Sequence, residues 1–138
     1  MKKNRLEIEY SYDFELLGLT TSTKSYKLAW ELNRALHVRM IKKPDLVIQL
    51  RTQQLTYSVH AHESPVNTLR LFRNKANETE QARSLLVPEY PHGDFILMFQ
   101  GEELQSNRLR EELRNIPSIE LVAFIPLDAL KSKDNFIF

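Results

Sequence analysis

The sequence predicts an α+β fold, a mostly antiparallel sheet with two helices on one face, in the order β-α-β-β-β-β-α-β. Short runs of period-two alternation outnumber the two stretches with helical spacing. The three middle strands follow one another with no helix between them, which argues against a doubly wound parallel sheet. An internal echo adds a third observation. Shifted by 81 residues, Asp13, Phe14, Leu16, Ser25, Leu28, Glu31 and Leu32 fall on Asp94, Phe95, Leu97, Ser106, Leu109, Glu112 and Leu113, as a duplicated β-α-β unit would.

Leu6, Ile8, Tyr10 and Tyr12 alternate with Glu7, Glu9 and Ser11, the pattern of a strand with one wet face, and residues 14–19 continue it as a more apolar segment. Hydroxyl residues between Thr20 and Ser25 supply N-cap candidates for a helix over 25–36. Its buried stripe is expected at Leu28, Ala29, Leu32, Ala35 and Leu36, with Tyr26 and Trp30 beside it helping to cover the sheet. A strand opens at Asp45, just after Pro44. Residues 55–62 form the return strand of a hairpin, and Ser64-Pro65 breaks it. Residues 68–72 make another strand, and the polar run 74–83 reads as a loop or short helix.

Pro91-His92-Gly93 is a turn, after which Phe95, Leu97 and Phe99 alternate with Ile96 and Met98. Both sets are apolar, which suits a central strand covered on both faces. Leu104, Leu109, Leu113 and Ile116 mark a second helix that Pro117 ends, and residues 119–125 form a last strand closed by Pro126. The tail 126–138 finishes in Phe136-Ile137-Phe138, three large apolar residues that should dock on this chain or on a partner.

A length of 138 residues suits a single domain over 1–138 with one core. With 42% apolar and 27% charged residues the composition is neither disordered nor membrane-like, and no stretch approaches the roughly 20 apolar residues of a membrane span. Lys2, Lys3 and Arg5 are followed by Glu7 and Glu9 instead of the apolar segment of a signal peptide, so the cytoplasm is the expected compartment. The absence of cysteine excludes disulfides and thiolate metal sites. Only Gly18, Gly93 and Gly101 are glycines, which leaves no phosphate-cradling loop and no dinucleotide fingerprint, and no cofactor is expected.

Chemistry is densest between Val87 and Phe95. Val87-Pro88-Glu89, three residues, then Gly93-Asp94-Phe95 resembles the signature of the IPExxxVDY family, a group of small uncharacterised bacterial proteins. Pro88, Glu89 and Asp94 match that motif, while Val87, Gly93 and Phe95 stand where it has Ile, Val and Tyr. Residues 13–19, 26–33, Asn74-Lys75 and 132–138 are similar to family segments in family order. The resemblance implies a single small domain with no assigned activity. A hydroxyl at the tyrosine position of the motif would be missing here.

Glu89, His92 and Asp94 are the candidates for general acid/base chemistry. The two carboxylates can equally accept backbone N–H bonds or pair with Arg51 or Arg83. His60 and His62 share one side of a strand at a spacing that could hold a transition metal if Glu63, Glu89 or His92 converged on them; a solvated pair is the plainer reading, and no metal is assigned. Lys24, Lys27, Arg34, Arg39, Lys42 and Lys43 gather within twenty residues opposed only by Glu31. That cluster reads as a solvated face or as a site for an anionic ligand or RNA, although a net charge of +1 exerts no general pull on nucleic acid.

No motif compels a reaction. The leading expectation is therefore a non-enzymatic cytoplasmic module that binds a protein partner or itself as a homodimer, with Phe136, Ile137 and Phe138 contributing to the interface. The alternatives are a small hydrolase or lyase using the carboxylates near the turn, and anion or RNA binding by the basic segment.

Overall fold

The computed structural model describes residues 14–49, 52–77, 85–101 and 106–136. The strand expected over 6–12, Arg51, Arg83, Leu104, Ile137 and Phe138 lie outside these residues. Six strands, β1 (Glu15–Thr20), β2 (Ile41–Gln49), β3 (Gln54–Glu63), β4 (Asn67–Arg73), β5 (Phe95–Gly101) and β6 (Leu121–Ile125), form one antiparallel sheet in the order β2-β3-β4-β5-β1-β6. Helix α1 (Ser25–Leu36) joins β1 to β2, and α2 (Ser106–Arg114) joins β5 to β6. The expected α+β class and element order are both found.

Both helices lie on one face of this sheet. Leu28, Ala29 and Leu32 of α1 and Leu109 and Leu113 of α2 share a buried core with Leu17, Leu19, Leu69, Leu71, Phe95, Leu97 and Phe99 from the strands. The opposite face, carrying Leu16, Tyr57, Phe72, Ile96 and Met98, is covered by chain with little regular structure: Leu86 and Val87 from the β4–β5 connection, and Leu130 and Phe136 from the end. β5 contributes to both cores, which is why its side chains are apolar without alternation.

The topology follows from a split β-α-β arrangement. Strand β1 lies between β5 and β6, so the two strands joined by α2 run parallel without touching. The quartet β6-β1-β5-β4 with its two helices is the ferredoxin-like arrangement, and the β2–β3 hairpin is an insertion that widens the sheet beyond β4.

Three expectations need correction. Under the offset of 81, Leu28 and Leu32 coincide with Leu109 and Leu113 in one core, but Phe14 and Leu16 face away from the helices while Phe95 and Leu97 face them. In the β1–β5 register Leu16 stands opposite Met98, so even-numbered residues of the two strands share a face and an offset of 81 exchanges faces; the echo therefore holds only for the helices. Tyr26 and Trp30 do not cover the sheet: they are 70% and 54% exposed. At 3.6 residues per turn, Trp30 lies about 200° around the helix from Leu28, on the far side from the buried stripe. Finally, β2 begins at Ile41 instead of after Pro44, crossing the proline by a register shift between Lys43 and Leu46. The proline is tolerated because β2 is an edge strand.

Candidate functional site

The motif loop is organised around Asn74, a fully buried residue placed immediately after β4. Its side-chain amide donates to the carbonyls of Tyr90 (3.2 Å) and Gly93 (2.8 Å), and its Oδ1 accepts the N–H of Val87 at 2.8 Å. Its own backbone N–H donates to the Asp94 carbonyl, and its carbonyl accepts the N–H of Leu86. One side chain thus satisfies polar groups along a loop that passes over the apolar face of the sheet. No periodicity announces such a residue, which stands in the sequence at the head of a polar run. Its only signal was its place among the family-like segments.

The two motif carboxylates serve separate parts of the chain. Glu89 accepts from the Lys131 N–H at 2.7 Å and the Ser132 hydroxyl at 3.1 Å, tying the loop to the C-terminal segment. Burial alone would raise its carboxyl pKa, but its own backbone amide, that of Lys131 and the two Ser132 donors outweigh burial and hold it below the usual glutamate value. Asp94 accepts the Thr21 N–H at 2.8 Å, and its own N–H donates to the Leu19 carbonyl, so the 92–94 turn is fastened to the end of β1. Both carboxylates bind backbone amides. A glutamate acting as a general acid would need its pKa raised, and Glu89 departs in the other direction.

The remaining candidates do not converge. The side chain of His92 is exposed, and its carbonyl accepts the Thr20 hydroxyl. His62 accepts the Arg39 N–H on Nδ1, whereas His60 is buried with Nδ1 unpartnered. Burial, and secondly the charge of Lys42, lower the His60 pKa. Among the described residues no three His, Asp or Glu side chains are grouped to hold a metal ion. The basic segment divides: Lys24 precedes α1 as its N-cap residue, Lys27 and Arg34 stand on the helix, and Arg39 follows it. Lys42 pairs with Asp45 at 2.8 Å, and Lys43 shares Glu63 with Arg70. Phe136, expected at an interface, is buried in its own chain with its ring edge-on to Phe72 at 5.1 Å.

Two surface features were not singled out from sequence. The first is the outer edge of β6, where Leu121 is 53% and Phe124 44% exposed. The guanidinium of Arg110, on α2, lies 5.8 Å from the Phe124 ring centroid. The second is a cleft of about 690 Å³ at the start of α1, whose walls include Ser22, Thr23, Lys24, Arg73, Lys75 and Asp94. Of the acid/base candidates only Asp94 reaches it. No family model and no curated protein matches this chain. Among the described residues no helix is long and apolar enough to cross a membrane.

Proposed function

We propose that the chain is a non-enzymatic protein-interaction module whose docking surface is the outer edge of β6, which no other strand among the described residues pairs. What supports the reading is the contrast between the two ends of the sheet. β2 carries Lys42, Lys43, Pro44 and a register shift, devices that discourage a further strand. β6, Leu121-Val122-Ala123-Phe124-Ile125, has no proline and no charge and pairs only with β1 among the described residues; both edges expose two large apolar side chains, Ile41 and Val47 on β2 and Leu121 and Phe124 on β6, so the contrast lies in charge, proline and register. Such an edge accepts an added strand, with backbone pairing providing affinity and Leu121 and Phe124 providing selectivity.

The use of Glu89 and Asp94 as acceptors for backbone amides supports the non-enzymatic part of the reading. A cytoplasmic setting and kinship with the IPExxxVDY proteins belong to the same proposal and rest on the sequence features given above. Native mass spectrometry of gently purified protein, wild type against Leu121→Lys/Phe124→Lys, tests the docking surface. The assembly, of copies or with another protein, should dissociate in the variant while its circular dichroism stays native. The same assembly in both proteins would end the reading.

A second reading, binding of a small anionic ligand, is favoured by the cleft. Lys24, Arg73 and Lys75 are among the residues that line it, and α1 begins there with neither a side-chain cap nor an acidic residue in its first turn. Titration with inorganic phosphate, followed by amide chemical shifts, should perturb residues 21–26 and 73–75, and the response should weaken with salt and in Arg73→Ala. An unperturbed spectrum at millimolar phosphate would remove this reading.

A further inference from the structure

We infer that the partner taken by the β6 edge is a second copy of this chain, joined antiparallel about a two-fold axis at Ala123; the inference rests on the reading of β6 as the docking edge. Ala123 is the middle residue of the strand, so self-pairing about it keeps all of Leu121–Ile125 in register. Leu121 then meets the partner's Ile125, and Phe124 meets the partner's Val122.

Charge selects this occupant. Arg110 is placed over Phe124, its Nε is buried without a hydrogen-bond partner, and its other recorded bond is to the neutral side chain of Asn107. Glu120, one residue before β6, is exposed, and no ion pair among the described residues uses it. Within one chain the two groups are unjoined. In the antiparallel pair, Glu120 sits two residues along from the Val122 that faces the partner's Phe124. That is a diagonal cross-strand position within reach of a long side chain. Each Arg110 thereby gains the partner's Glu120, and the two-fold axis makes the contact twice. An unrelated strand could fill the backbone positions but has no built-in reason to supply a carboxylate there.

Charge reversal tests the pairing. Arg110→Glu and Glu120→Arg, each made alone, place like charges across the interface and should weaken dimerisation at least about tenfold in sedimentation velocity. Mixed one to one, the two variants should recover a heterodimer, because each then offers the charge that the other lacks. Single variants that dimerise like wild type, or a mixture that stays monomeric while each component keeps native circular dichroism, would overturn the inference. A wild-type chain that is monomeric at 100-fold the working concentration would overturn it too. In that case the lysine variant of β6, tested on whatever protein complex the wild type forms, decides separately whether the edge is a docking surface.

Discussion

The ring of Tyr90 lies against the backbone of Gly18 and extends to Gly93, so close that a β-carbon at either glycine would overlap ring atoms. Gly18 is in β1, a central strand, and it lacks a side chain on the face where the motif loop crosses. The loop and the strand are thus fitted to each other at one aromatic ring.

Gly18→Ala should destabilise the fold by about 1–3 kcal/mol through overpacking. Tyr90→Leu, a smaller and more adaptable side chain, should recover part of that loss, so the two substitutions will be strongly non-additive in urea unfolding. Additive effects would show that the ring moves aside freely.

Asn74→Ala strands two carbonyls and one N–H beneath the loop. At about 1 kcal/mol or more for each unmet buried group, a loss of about 3–5 kcal/mol is expected, with native-state hydrogen exchange accelerating first at Val87.

Glu89→Gln keeps the shape and removes the charge that binds the Lys131 and Ser132 donors. The folded-state pKa of Glu89 is lowered, so its contribution is complete above the unfolded value of about 4.3 and is lost as pH falls through the folded value. Wild type should therefore release its C-terminal segment on acidification, visible as exchange near Ser132. The glutamine variant should already exchange faster there at neutral pH and show a smaller change on acidification.

His60 has a depressed pKa in the fold, caused by burial first and by Lys42 second. The unfolded chain takes up a proton near pH 6.5, before the folded one does, so stability is greatest above about pH 6.5 and declines below it. His60→Phe should flatten the slope of unfolding free energy between pH 7 and 5, and an unchanged slope would place the titration elsewhere.

His37 ends α1 in the left-handed region, with φ +56°, while its N–H donates to the Asn33 carbonyl. A side chain in that conformation costs about 1 kcal/mol or more. His37→Gly should raise the melting temperature by a few degrees, read by calorimetry, because the strain lost exceeds the added unfolded-state entropy.

Local patterns carried most of the fold. Alternation placed β3 as the return strand of the β2–β3 hairpin, the doubly apolar run from Phe95 to Phe99 identified a central strand, and Leu28 and Leu32 marked the inner face of α1. What was illegible was long-range. That β1 separates β5 from β6 depends on how distant strands pair, which no local window records. Tyr26 and Trp30 lie in solvent because helical phase, not hydrophobicity, decides which side chains of α1 are buried. Asn74 was missed because a buried asparagine is identified only by the carbonyls around it. Glu89 and Asp94 stood out in the sequence, but their partners Lys131 and Thr21 come from remote segments that only folding brings near.

The central position of β1 has a consequence for synthesis. Leu16, Leu17 and Leu19, all fully buried in the finished sheet, leave the ribosome long before Leu97 and Phe124, the residues that flank Leu17 on either side. Until then the nascent chain holds an apolar strand with both edges vacant, a substrate for chaperones and a seed for aggregation if translation stalls ahead of β5.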